Sequence, residues 1–143
     1  MFVEQRLYTC APGQTGEFLR VYEREGRAPQ MQHLGQPVGY YISEIGTLNQ
    51  VTTLWAYGSL DERVERRRAL FQNADWNAYL NKARPLLTTQ ETRILVPAPF
   101  FQERLAAIAS LGRTSWAEKP SRMHSREQYS PISADASSVS TFW

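Results

Sequence analysis

The chain has 143 residues, enough for one ordinary domain with its own core and too few for two of typical size. Sixteen basic residues nearly balance fourteen acidic ones, so no strong long-range field attracts nucleic acid or an anionic membrane; net charge does not select a partner, and no nucleic-acid partner is expected. The single cysteine, Cys10, excludes an internal disulfide and a cysteine-built metal cluster, and no apolar run reaches the roughly 18 residues of a membrane span. With a start, MFVEQRLYT, that lacks the pattern of a secretory signal, the expectation is a cytoplasmic protein.

In chain order, residues 2–9 alternate as a strand, with Val3 and Leu7 on one side and Glu4, Arg6 and Tyr8 on the other. After the turn Ala11-Pro12-Gly13 the period changes: Phe18, Leu19 and Tyr22 share one side of an amphipathic helix, which Pro29 is expected to break. Residues 38–45 and 50–57 then read as a hairpin joined by Gly46-Thr47-Leu48-Asn49. Ser59 and Glu62 form a capping box that opens a second helical region, which pauses at Asn73-Ala74-Asp75 and resumes through Trp76, Tyr79 and Leu80 to Pro85. A last strand spans residues 87–96.

The order β-α-β-β-α-β with one central hairpin predicts an α+β, ferredoxin-like domain, in which a four-stranded antiparallel sheet carries its helices on one face. The bare face requires a cover. The domain is expected to occupy residues 1–98, and residues 99–143 an extension with a short helix over 101–111. From Arg113 the extension is rich in serine and charge, a composition expected to be disordered, with Trp116, Tyr129, Phe142 and Trp143 as its only anchors for a partner.

The segments EQRLYTCAPGQTGEFLRVYE, EIGTLNQVTTLWAYGSLDER, DWNAYL and LLTTQETRILVP fall in order across residues 1–98, and together they resemble the NIPSNAP family. The resemblance implies a ferredoxin-like fold that pairs through its sheets into a dimeric α/β barrel, hence a homodimer. The surrounding superfamily includes cofactor-independent monooxygenases, haem-degrading enzymes and small isomerases or decarboxylases. No motif assigns one of these activities to this chain. The expected role is a small-molecule-binding or protein-interaction module, the alternative being a cofactor-independent monooxygenase or isomerase acting on a phenolic or carbonyl compound.

Strand parity proposes Arg6, Tyr8, Trp55, Tyr57, Glu91 and Arg93 for the sheet face away from the helices, where a dimer would enclose a partly apolar cavity. Arg6, Glu44, Glu91 and Arg93 could orient an acidic or hydroxylated ligand, or form structural ion pairs between subunits. Oxygenases of related fold hold phenolic substrates with Asn, Trp and Tyr or His, which adds Asn49, although asparagine at this hairpin also suits a left-handed turn and Trp55 also suits core packing. His33 and His124 lack ligand spacing, so neither a metal nor a cofactor is expected. Arg63 and Arg66-Arg67-Arg68 are interspersed with Glu62 and Glu65, which reads as a solvated helix face and not a nucleic-acid patch.

Overall fold

The computed structural model describes residues 1–114. Its elements are β1 (Phe2–Cys10), α1 (Thr15–Val21), a π-helical turn (Tyr22–Gly26), α2 (Arg27–Leu34), β2 (Gly39–Ile42), β3 (Gln50–Tyr57), α3 (Leu60–Gln72), α4 (Ala74–Ala83), β4 (Leu87–Leu95) and α5 (Gln102–Thr114). Every neighbouring pair in the sheet is antiparallel, in the order β2-β3-β1-β4. The β-α-β-β-α-β order and the four-stranded sheet agree with the sequence expectation. Helix α5 runs through Gly112 to Thr114, past the helix end expected at residue 111 and two residues into the stretch expected to be disordered, while the rest of that stretch and the aromatic anchors of the tail lie outside the described residues. Among the described residues no helix is long and apolar enough to cross a membrane.

The first helix does not break at Pro29. The Arg27 N–H donates to the Tyr22 carbonyl, five residues back, and the widened turn relieves the crowding that a proline ring otherwise meets on the preceding turn. Helix α2 therefore continues through the proline. Within the wide turn, an added Cβ on Gly26 would stand 2.8 Å from Tyr79 ring carbons, so the α1–α2 and α4 segments approach more closely than any other residue would permit.

The second helical region begins as expected. The Glu62 N–H donates to the Ser59 hydroxyl at 3.1 Å, and the Glu62 carboxylate accepts from the Gly58 N–H. Asn73 ends α3 in extended conformation and caps α4, its side chain accepting from the Trp76 N–H at 3.0 Å. Strand β2 is shorter than predicted. The polar stretch from Ser43 to Asn49 is a loop, with Gly46 and Asn49 both at positive φ, and the Asn49 carbonyl accepts from the Cys10 N–H.

The sides of the sheet are reversed from the parity reading. Directly opposed residues of paired strands project to the same face, so Phe2, Glu4, Arg6 and Tyr8 share a face with Tyr57, Trp55, Thr53 and Val51. Phe2, Val51, Trp55 and Tyr57 pack in one core with Phe18, Val21, Tyr22, Leu34, Leu70, Trp76 and Tyr79, so this face lies under the helices. Arg6, Tyr8, Trp55 and Tyr57 were thus grouped correctly and assigned to the wrong side. Glu91 and Arg93, opposite Leu7 and Gln5, are on the open face, away from those four.

Magnitudes account for the reversal. Burying a Phe, Trp or Tyr is worth about 1.5–3 kcal/mol each, whereas the cost of burying Glu4 and Arg6 is offset in part by pairing them. The large aromatic set wins the covered side and carries the charges with it. Val3, Leu7 and Leu54 are left half-buried on the open face.

A candidate binding cleft between helices and sheet

Glu4 is the electrostatic centre of the covered face. Its side chain is 0% exposed, and its Oε1 accepts from Arg63 at 2.6 Å and from Arg6 at 3.2 Å, with Arg67 3.8 Å from Oε2. Burial alone would raise the carboxyl. The Arg63 hydrogen bond and the charges of Arg67 and Arg6 outweigh it, so Glu4 ionises below its ordinary value of 4.5.

The arginines reach Glu4 because of helical spacing. Arg63, Arg67 and the buried Leu70 recur at i, i+4 and i+7, one stripe of α3 facing the sheet. Arg66 faces aside, pairing with Glu62 and donating to the Leu34 carbonyl at 3.1 Å. The arginine run is thus divided: part surface, part interior.

Beside this cluster a partly open cleft separates the sheet from the helices. Arg6, Tyr8, Tyr40, Thr53, Leu87 and Gln90 line it from the strands, and Phe18, Tyr22, Gln30, Arg67, Phe71, Trp76, Tyr79, Leu80, Ala83 and Arg84 from the helical layer and the turn after it. The volume open to centres of water-sized spheres is about 70 Å³. That is roughly half of the ~150 Å³ cavity that holds a benzene ring, so the enclosed space takes about two waters at ~30 Å³ each or one end of a larger occupant that reaches the open mouth.

The walls are aromatic and ordered. Tyr22 stacks on Tyr40 with ring centroids 4.9 Å apart and meets Tyr79 edge-on at 6.0 Å, while Trp76 lies 4.9 Å from Tyr79. Burial raises the hydroxyls of Tyr22, Tyr40 and Tyr79 far above the usual phenol range, so they remain protonated at neutral pH. The Tyr22 hydroxyl and the Trp76 indole N–H are buried without a hydrogen-bond partner. Such an unpaired group costs about 1–3 kcal/mol.

Of the eight cavity candidates, Arg6, Tyr8, Glu44, Asn49, Trp55, Tyr57, Glu91 and Arg93, only Arg6 and Tyr8 line this cleft, the Arg6 Nε donating to the Tyr8 hydroxyl at 2.7 Å. Trp55 and Tyr57 are fully buried core: the Trp55 indole donates to the Thr53 hydroxyl at 3.0 Å, and burial pushes the Tyr57 hydroxyl up to about 12. Glu44 is exposed in the β2–β3 loop, and Asn49 holds the left-handed turn position at φ 60°. Glu91 and Arg93 form an exposed pair at 3.2 Å within one strand. Sequence reasoning missed Arg67, Tyr22, Tyr40, Trp76 and Tyr79. The aromatics of the helices read as ordinary core positions, and the available signal was the stripe joining Arg63 and Arg67 to Leu70.

His33, in the last turn of α2, contacts the Asn73 amide at 3.3 Å and lies outside the cleft lining. Burial raises the Cys10 thiol, leaving it little nucleophilic character. Among the described residues no cluster of three His, Cys, Asp or Glu side chains could hold a metal ion.

Comparison with known proteins gives a consistent result. The family model NIPSNAP matches residues 3–102. Protein NipSnap homolog 2 of Danio rerio is 34% identical over 94 residues, covering 66% of this chain and 32% of that protein, so the chain spans about a third of the length of this curated relative. A solved NIPSNAP family protein from Agrobacterium tumefaciens is 43% identical with a TM-score of 0.68, over 70% of this chain and 90% of that one. A Nitrosomonas europaea protein described as a candidate antibiotic biosynthesis monooxygenase shares the fold alone, with a TM-score of 0.52 at 11% identity over 68% of this chain and 98% of that one.

Proposed function

The chain belongs to the NIPSNAP family, and from that premise we propose that residues 1–98 act as a small-molecule-binding module, paired through the open sheet face as a homodimer, with residues 99–143 as an extension. The observation that carries the binding reading is the cleft itself, with aromatic walls, a few convergent polar groups and two unpartnered donors on residues that line it. This is the usual makeup of a site for a small molecule. It lies between helices and sheet, not between two sheets.

The dimer is supported by the uneven covering of the sheet. Helices bury one side, while Val3, Leu7, Leu54 and Leu95 remain on the other, and a partner covering about 800 Å² per subunit suffices for a stable pair. Sedimentation at micromolar concentration should give a dimer, and Leu54→Glu should shift it to monomer. A wild-type monomer under those conditions removes the pairing proposal.

The enzymatic alternative uses the same cleft. A cofactor-independent oxygenase or isomerase must remove a proton from its substrate, yet the lining has no carboxylate, imidazole or thiol, and Tyr22, Tyr40 and Tyr79 are held protonated. Binding therefore stands ahead of catalysis. Ligand-observed NMR with single-ring aromatic compounds tests it: binding to the wild type should be lost in Gln90→Trp, which places bulk in an exposed part of the cleft wall. Equal binding in the variant, or none in the wild type, overturns the reading.

A further inference from the structure

The cleft is unbalanced in charge. Its lining includes Arg6, Arg67 and Arg84 and no acidic residue. The nearest fixed negative charge is Glu4, and Arg63 takes its shortest contact, at 2.6 Å. Arg6 and Arg67 share what remains, at 3.2 and 3.8 Å, with side chains only 13% and 18% exposed. Three guanidiniums against one carboxylate leave two positive charges in a half-enclosed space, where water screens them poorly.

Both arginines are held for use. Arg6 lies 5.4 Å from the Tyr8 ring centroid and donates Nε to that hydroxyl, and Arg67 lies 5.6 Å from the Phe71 centroid. Burial, then repulsion from Arg6, makes the Arg67 proton less firmly held than in water, the mark of a cation short of counter-charge.

Resting on the binding reading above, we infer that the cleft takes a small single-ring aromatic monoanion, its carboxylate or phenolate oxygens held by Arg6 and Arg67 and its ring against the Tyr22, Trp76 and Tyr79 side chains. The planar guanidinium fork suits a carboxylate, and because the enclosed space of about 70 Å³ is smaller than an aromatic ring needs, the carboxylate end sits inside and the ring extends to the open side of the cleft.

The test compares benzoate with benzamide, its neutral counterpart of nearly equal shape, by isothermal titration against the full chain. Benzoate should bind at least about tenfold more tightly, since a charge-assisted contact is roughly twice as strong as a neutral one. Arg67→Gln should weaken benzoate far more than benzamide and so erase that preference, and Arg67→Lys should restore part of it; thermal melts of each variant establish that it is folded. Equal affinity for the two probes overturns the anion inference and leaves the binding reading intact. Failure of both probes, together with failure of neutral phenols, overturns the two together.

Discussion

The two faces of the sheet are built on opposite plans. The open face carries half-buried aliphatic residues, Val3, Leu7 and Leu54, and a solvated Glu91–Arg93 pair, while the face beneath the helices carries Glu4, Arg6, Tyr8 and Trp55. Placing charges in the interior and aliphatics outside is costly for a domain that needs only to fold. Under the proposed function the covered face holds the binding site, and the open face is the surface offered to a second copy.

The largest effect is expected at the centre of the covered face. Glu4→Gln keeps the shape and removes the carboxylate that Arg63 and Arg67 face, so chemical unfolding should show a loss of about 3–5 kcal/mol. A loss below about 1 kcal/mol would mean that the arginines find solvent easily and that the two faces differ little.

The same residue sets an acid dependence. The folded carboxyl lies below 4.5, so the native state binds fewer protons than the unfolded chain in that window. Its contribution is complete above 4.5 and disappears as pH falls through the lower folded value. Urea midpoints of wild type and Glu4→Gln should therefore converge as pH falls from about 6 to about 3, and parallel curves would remove Glu4 from this role.

A smaller effect is expected in the helical layer. Gly26→Ala forces a methyl against the Tyr79 ring and should destabilise by about 1–3 kcal/mol, with a disturbed near-ultraviolet signal from the cleft aromatics. Wild-type stability would show that the helices can separate at no cost. The smallest effect belongs to the open face, where Arg93→Ala breaks an exposed pair and should change the unfolding free energy by less than about 0.5 kcal/mol.

The order of elements was legible because its signals are local. Ser59 with Glu62, the period change at Thr15 and the turn residues Gly46 and Asn49 each act within a few residues of chain. Which side of the sheet the helices cover was not legible from alternation, which groups Glu4, Arg6 and Tyr8 but does not say which group is inside. Including Phe2 and Cys10 in that group would have indicated the interior. The cleft was harder still, because Glu4 and Arg63 are 59 residues apart and Tyr22, Tyr40 and Tyr79 meet only after three elements have packed. The π-turn that admits Pro29 leaves no sequence signal beyond Gly26.

Protein-observed NMR with benzoate separates the two faces in one titration. Resonances of Arg6, Arg67 and the Trp76 indole should shift together and saturate, while those of Gln5, Leu7, Glu91 and Arg93 stay fixed. Saturable shifts confined to the second group, with the first unmoved, would put the ligand site on the open face and contradict the assignment of function to the space beneath the helices.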